Sequence, residues 1–217
     1  MGDVGTVVAI TGLNREGRVL RGAGVTVIAC GGQADTLETE LERLTDGAVG
    51  LISFGMAGAL DPTLKLGDWV IGEKLTGEHE APCNRRWINA LSQLLPTARL
   101  GAIFADGRMI AIPDEKRALG ARYDAIAVDM ESHAVAVAAT KKGLPFAILR
   151  CISDEADATL PPAVTAAMRP GGELDLMAIL RSLATNPQQL PALIGTAVRF
   201  RQAYAALSAG ALAIGPR

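Results

Sequence analysis

The chain has 217 residues, of which 49% are hydrophobic, and this is enough apolar material for a sizeable core. Its 21 basic residues nearly balance 23 acidic ones, and without a basic block the composition argues against nucleic acid as a partner. Three scattered cysteines and two histidines fit neither a disulfide framework nor a zinc site. We therefore expect a cytoplasmic protein without a metal or other cofactor.

Apolar runs rich in β-branched residues alternate with segments of helical periodicity, which is the pattern of an α/β fold with crossover helices. The predicted strands are Val4–Ile10, Val25–Ala29, Val49–Ser53, Asp68–Glu73, Ala98–Phe104, Ala125–Val128 and Phe146–Ile152. The predicted helices are Glu16–Arg21, Thr36–Leu44, Arg86–Leu94, Asp114–Leu119, Ser132–Lys142, Leu174–Leu183 and Pro191–Ala209. Gly143 is expected to end the fifth helix, and Asp157–Gly172 is predicted to be a loop. The absence of a repeat or linker in the sequence favours a single domain over residues 1–217.

The first motif is "SFGMAGAL", residues 53–60, where small side chains follow a predicted buried strand. Ala57, Gly58 and Ala59 would let backbone N–H groups approach a ligand closely. A tight packing turn between a strand and a helix explains the same residues equally well, so both interpretations stay open.

The second motif is "AVDMESHAVAVAA", residues 127–139, in which a strand delivers Met130 and Glu131 to the start of a helix. The unsatisfied N–H groups and positive dipole at a helix start favour a carboxylate, and the local pattern favours this structural role for Glu131. The alternative is that its two oxygens accept hydrogen bonds from the vicinal diol of a ribose while Met130 packs on the sugar.

The third motif is "LRCISDEAD", residues 149–157, which places Ser153 and Asp154 at the carboxyl end of a predicted strand. Open α/β sheets bind their ligands at that end. A helix cap or an Asx turn is the commoner role of such a pair. The alternative is a partly buried acid that holds a proton and delivers it to a leaving group.

In this order, the three motifs resemble the nucleoside phosphorylase and nucleosidase superfamily, which includes purine nucleoside phosphorylases and methylthioadenosine/S-adenosylhomocysteine nucleosidase. The resemblance runs from about Val7 to Asp157. It implies a three-layer α/β/α sandwich around a central mixed, partly closed sheet. It also implies a purine nucleoside as substrate and a homo-oligomer in which neighbouring subunits complete the site.

The resemblance also implies roles for individual residues. Asp154 would donate a proton to N7 of the purine, and Ser153 would orient Asp154 or hold the loop. Glu131 would anchor the ribose diol, with Met130 packing on the sugar. The base-binding residues that the resemblance implies are Met109, Ile110, Ala57 and Gly58.

The segment "AITGLNREGRVL" resembles the one that carries a Gly and an Arg in the phosphorylases and a water-positioning glutamate in the hydrolases. Gly12 and Arg15 approximate the phosphorylase pattern, because a guanidinium and a glycine backbone suit an oxyanion. Glu16 keeps hydrolysis open, although the alignment puts Gly17 at the usual glutamate position.

A second phosphate contact is suggested by Gly31 and Gly32, whose backbone N–H groups precede a predicted helix. A tight turn is the alternative explanation for this glycine pair.

The branch of the superfamily is suggested by smaller features. Ser53 and Met56 stand where the bacterial hexameric phosphorylases carry an Arg and a Ser for phosphate. "GLNREGRVL", "GMAGALDP" and "DMESHAVA" look more like the hopanoid-associated phosphorylases, which implies removal of adenine from adenosylhopane with inorganic phosphate as co-substrate. The alternatives are hydrolysis of methylthioadenosine or S-adenosylhomocysteine, and a non-catalytic nucleoside-binding protein. The apolar segment 190–214 needs a partner, either other parts of the protein or, as peripheral contact, a membrane surface.

Overall fold

The computed structural model describes residues 6–20, 25–29, 47–167 and 176–214. The strands within these ranges are β1 (Thr6–Thr11), β2 (Thr26–Ala29), β3 (Ala48–Ala59), β4 (Trp69–Thr76), β5 (Ala81–Pro82), β6 (Arg99–Ala105), β7 (Ala125–Asp129) and β8 (Phe146–Asp154). The helices are α1 (Asn14–Val19), α2 (Arg85–Leu94), α3 (Pro113–Tyr123), α4 (Ser132–Lys142), α5 (Pro162–Ala167), α6 (Leu176–Thr185) and α7 (Leu190–Ile214), with a 3₁₀ turn at Pro187–Gln189.

The strands form a mixed sheet that closes on itself. The order along the sheet is β2-β1-β3-β7-β6-β4-β5, and β8 pairs in parallel with β3 and antiparallel with β4. The strands β3, β7, β6, β4 and β8 therefore make a closed barrel, which β1 and β2 extend on one side. This confirms the predicted α/β fold with a central mixed, partly closed sheet and surrounding helices.

The apolar pattern of β8 follows from its place between β3 and β4. All of its residues except Ser153 are buried, because a strand with neighbours on both edges and helices packed around the sheet has no wet face. The helix α4 covers β3 and β8 with small buried residues, including Val135 and Ala139. It ends at Gly143 as predicted, where a φ of 64° requires the left-handed conformation that glycine adopts easily.

The strands predicted from sequence are all present, but β3, β4 and β8 end later than predicted, and the largest difference is in β3. The strand β3 continues through the small-residue motif to Ala59, so these residues do not form a turn from a strand into a helix. They remain in the sheet because residues up to Gly58 pair with β8, while Gly58 and Ala59 also pair with β7. Small side chains allow the strand to bend around the closed barrel.

Two short elements were missed by the sequence analysis, and one predicted helix cannot be compared. The two-residue strand β5 was not predicted, and the prediction of a loop over Asp157–Gly172 is wrong in its middle, where the helix α5 begins at Pro162. A proline suits the first position of a helix because that residue needs no N–H partner there. The predicted helix Thr36–Leu44 lies outside the described residues. Within the described ranges, none of the helices has the length and apolar character needed to cross a bilayer.

Candidate active site

A cavity of about 440 Å³ lies beside the C-terminal ends of β1, β3, β7 and β8. It brings together residues from all three sequence motifs and from the N-terminal segment. The predicted site residues that line it are Gly12, Glu16, Ala57, Gly58, Met109, Ile110, Met130, Glu131, Ser153 and Asp154. The remaining wall comes largely from the segment before α5, from α5 itself and from α7, including Leu160, Val164 and Phe200.

One end of the cavity is built around Asp154, the last residue of β8, which is 8% exposed. The Ser153 hydroxyl lies 2.7 Å from Asp154 Oδ1, to which it can donate, and 3.2 Å from the Ala57 carbonyl. The Lys116 ammonium donates to Asp154 Oδ2. A side chain at Gly58 would come within 3.0 Å of that same oxygen, so this position keeps the approach to the carboxylate open. Asp154 is thus held by side chains at the cavity wall.

Glu131 stands at the start of α4, but another residue caps that helix. Asp129 Oδ1 accepts hydrogen bonds from the backbone N–H groups of Glu131 at 2.8 Å and Ser132 at 2.7 Å. The Glu131 side chain makes no capping bond and instead lines the cavity. A side chain at Gly12 would collide with the Glu131 carboxylate, so the glycine makes room for it. The structure therefore does not support the helix-start interpretation of Glu131.

Glu16 is a buried carboxylate on the short helix α1 and is 4% exposed. Its Oε2 accepts the N–H of Leu13 at 2.9 Å, and its Oε1 accepts the N–H of Met56 at 2.9 Å. Glu16 lines the same cavity as Glu131 and Asp154. The glutamate of this segment thus reaches the cavity, although the sequence alignment puts Gly17 at that position.

Arg150, in the middle of β8, is the cation beneath these carboxylates and is 1% exposed. Its Nε donates to Asp129 Oδ2 at 2.9 Å, and its Nη2 lies 3.7 Å from Glu131 Oε2. The same Nη2 donates to the hydroxyls of Ser53 at 2.6 Å and Ser132 at 3.1 Å. Ser53 therefore helps to hold Arg150.

The electrostatics of this end of the site are acidic. Burial raises the pKa of Glu16, although Arg150 and the backbone N–H groups oppose the rise. Burial raises the pKa of Glu131 to about 8, with Arg150 opposing the rise and Asp129 and Glu16 adding to it. A carboxyl group whose pKa lies closer to neutrality is better matched to exchanging protons with water at that pH.

Among the described residues, the predicted phosphate contact Arg15 does not line the cavity. The Arg15 side chain is exposed, and its backbone carbonyl accepts a hydrogen bond from the Tyr204 hydroxyl at 3.1 Å. Gly31 and Gly32 lie outside the described residues. A phosphate role for these three residues stays a prediction.

Sequence reasoning missed Asp129, Arg150 and Lys116. Arg150 carried a usable signal, because it is the charged residue inside the otherwise apolar run "FAILRCI". Asp129 directly precedes two predicted site residues and was not assigned a role of its own. Lys116 gave no signal, because it belongs to the charged stretch "DEKR", which is typical of an exposed helix. Among the described residues, no group of three or more His, Cys, Asp or Glu side chains is arranged to hold a metal ion.

Comparisons with known proteins address the family and the fold of the chain. A family profile described as "Phosphorylase superfamily" matches residues 15–184. No curated protein sequence matches the chain.

Solved structures with similar folds include two enzymes and an enzyme variant. The 5'-methylthioadenosine/S-adenosylhomocysteine nucleosidase of Neisseria meningitidis, in complex with methylthio-immucillin-A, has a TM-score of 0.68 at 18% identity, covering 97% of this chain and 98% of that one. A Helicobacter pylori nucleosidase variant with 5'-methylthioadenosine in its active site has a TM-score of 0.66 at 17% identity, covering 99% and 98%. The futalosine hydrolase of Helicobacter pylori has a TM-score of 0.64 at 17% identity, covering 90% and 97%. At these identities the likeness shows the fold.

Proposed function

Since the chain belongs to the phosphorylase superfamily, we propose that it cleaves the N-glycosidic bond of a 5'-substituted adenosine and uses water as the nucleophile. The observation that carries this proposal is the buried Glu16 carboxylate, which lines the same cavity as Glu131 and Asp154. The identification of the nucleophile differs from the phosphorolysis that the sequence favoured.

The leaving base is assigned to the end of the cavity that contains Asp154. Breaking the bond between C1' and N9 puts negative charge on the purine, and a proton delivered to N7 neutralises that charge as it develops. Asp154 acts as the donor, and Ser153 fixes the orientation of its carboxyl group through the 2.7 Å contact. Met109 and Ile110 line the same cavity and bind the base.

The ribose is assigned to Glu131 and Met130. The carboxylate oxygens of Glu131 accept hydrogen bonds from the 2' and 3' hydroxyls, and Met130 packs on the sugar. The nearby carboxylates also favour the positive charge that grows on the ribose as the bond breaks. Gly12 supports this assignment, because any side chain there would occupy the position of the Glu131 carboxylate.

We assign water as the nucleophile because Glu16 can act as its general base. Glu16 is buried, its pKa is raised by burial, and it can take a proton from a water molecule that attacks C1'. A phosphate dianion at the same place would lie against the oxygen atoms of two acidic side chains, Glu16 and Glu131. Arg150, the cation beneath these side chains, already donates to Asp129, Ser53 and Ser132.

The 5' substituent is assigned an apolar character. Leu13, Leu160, Val164 and Phe200 line the cavity together with the nucleoside-binding residues. These apolar side chains favour an apolar group, and Thr165, Thr196 and Arg199 line the same cavity beside them. The sequence resemblance suggests adenosylhopane as the substrate. Its 5' substituent is more apolar than those of 5'-methylthioadenosine and S-adenosylhomocysteine. A homo-oligomer, a cytoplasmic location and peripheral membrane contact stay predictions.

The test measures adenine release from 5'-methylthioadenosine, S-adenosylhomocysteine and adenosylhopane, with and without phosphate, and identifies the sugar by mass spectrometry. We expect release without phosphate, giving a free sugar. Glu16→Gln should lower kcat by about a hundredfold or more, which is the usual contribution of a general base. Arg15→Gln, at the neighbouring exposed position, is the matched control and should stay within about twofold of the wild type.

Two results would contradict the proposal. Strict dependence on phosphate, with a sugar 1-phosphate as product, would make this a phosphorylase. Binding of the nucleoside without turnover would make it a non-catalytic binding protein.

A further inference from the structure

Lys116 is a buried lysine directly behind the cavity. It lies on α3, is 0% exposed, and is not one of the cavity-lining residues within the described chain. Its ammonium donates to Asp154 Oδ2, to the Glu155 carbonyl at 2.8 Å and to the Ala158 carbonyl at 3.3 Å. These three acceptors match the three N–H bonds of a charged lysine. The site is thus built for an ammonium group.

The pairing has a consequence for Asp154. A buried ammonium group is strongly destabilising unless a charged partner offsets its loss of hydration. The partner here is the Asp154 carboxylate, and three acceptors around one ammonium group form the hydrogen-bond pattern of an ion pair. An ionised carboxylate accepts hydrogen bonds and has no proton to donate. The protonation of a leaving purine by Asp154 therefore needs a source for the proton.

We propose that Lys116 is a positioning residue that supplies this proton through Asp154, an inference that rests on the proposed function. When a nucleoside fills the cavity and displaces water, the charged pair becomes more costly relative to a neutral one. The Nζ–H bond of Lys116 then breaks as an O–H bond forms on Asp154, and the carboxyl proton moves to N7. The electron pair of the C1'–N9 bond passes to the purine. Lys116 is left as a neutral amine and regains a proton from solvent after the base departs.

The same three hydrogen bonds fix the geometry of the base end. They tie α3 to the segment that follows β8, in which the carbonyls of Glu155 and Ala158 lie. A further hydrogen bond holds this segment in place: the Leu160 N–H donates to the Ala111 carbonyl at 3.0 Å. Ala111 follows Ile110, which lines the cavity. Lys116 thereby holds Asp154 in register with the residues assigned to the base.

The first experiment compares two leaving groups in Lys116→Met, which keeps an unbranched side chain, one atom shorter, and removes its charge. The substrates are 5'-methylthioadenosine and 4-nitrophenyl β-ribofuranoside, whose phenolate leaves without a proton. We expect kcat on the purine nucleoside to fall by about a hundredfold or more, with KM within about threefold. Hydrolysis of the nitrophenyl riboside should change far less.

The matched control is Lys65→Met. Lys65 is an exposed lysine that pairs with the Glu155 side chain at 3.3 Å, on the same segment that Lys116 holds. Its loss perturbs this segment without touching Asp154, so both substrates should keep their wild-type rates. Circular dichroism and thermal melting confirm that each variant is folded before its rates are compared.

A second measurement covers the case in which the nitrophenyl riboside is a poor substrate of the wild type. Lys116→Ala leaves a space that small amines can enter, and methylamine should restore turnover of the purine nucleoside whereas methanol should not. Equal losses on both substrates, or no rescue by the amine, would show that Lys116 is merely structural and would overturn the inference. Wild-type rates in Lys116→Met would overturn it and leave the proposed function intact. An inactive wild type would instead contradict the proposed function itself.

Discussion

The carboxylate cluster around Arg150 makes a quantitative prediction for the stability of Glu131→Gln. The Glu131 side chain is 13% exposed, and burial raises its pKa from 4.5 to about 8, with Asp129 and Glu16 adding to the rise. Glutamine has nearly the same shape but carries no titratable proton. The substitution therefore removes the pH dependence of this group and keeps most of its packing.

The sign follows from proton linkage. A carboxyl group with a higher pKa in the folded state binds its proton more tightly there, so its stabilising contribution is present below about pH 4.5 and is lost as the pH rises through about 8. At about 1.4 kcal/mol for each tenfold change in proton affinity, the upper limit is on the order of 5 kcal/mol. Because Arg150 favours the ionised form of Glu131, we expect the stability that is lost between pH 5 and pH 8 to be smaller, at about 1–3 kcal/mol.

The assay is urea unfolding at pH 5, 6.5 and 8. The free energy of unfolding of Glu131→Gln, relative to the wild type, should rise by about 1–3 kcal/mol across this range. Glu73→Gln, at an exposed position on β4, is the matched control and should follow the wild type at every pH. An unfolding free energy of Glu131→Gln that stays parallel to the wild type would refute the reasoning about the buried cluster.

Three further substitutions test the site. Asp154→Asn should lower kcat by about a hundredfold or more while the nucleoside Kd, measured by calorimetry, stays within a few-fold; unchanged turnover would remove Asp154 as the acid. Gly12→Ala should lower kcat/KM at least about tenfold, because its methyl group would collide with the Glu131 carboxylate, and wild-type kinetics would place the diol elsewhere. Arg150→Met should cost about 3–5 kcal/mol in urea unfolding, since it leaves buried carboxylates without their cation; a loss below about 1 kcal/mol would argue against that dependence.

The sequence predicted the parts of the site that follow strand ends. Ser153 and Asp154 were placed at the carboxyl end of a predicted strand, where this fold class binds its ligands, and Glu131 at the start of a helix. The local patterns favoured capping or turn roles, and the family resemblance suggested ligand binding; all three residues line the cavity. The small residues Ala57 and Gly58 were found as well, but their strand was cut short. Their closeness to the cavity depends on pairing with β8, a long-range contact that local sequence does not encode.

The sequence could not show whether the side chain of Arg15 or that of Glu16 faces the cavity. Adjacent residues on a helix point about 100° apart, so a shift of one residue decides which side chain is buried. The helix α1 has six residues, which is too short for its apolar pattern to fix this orientation. Lys116 was hidden for a related reason, because its charged neighbours on α3 are typical of a helix face in water.

The most direct test of hydrolysis is to follow the fate of oxygen from solvent. The reaction would be run on 5'-methylthioadenosine in water enriched in oxygen-18, with phosphate present, and the sugar would be analysed by mass spectrometry. We predict a free sugar that carries one solvent oxygen at C1'. A sugar 1-phosphate whose C1' oxygen comes from unlabelled phosphate would contradict the account and assign the reaction to phosphorolysis.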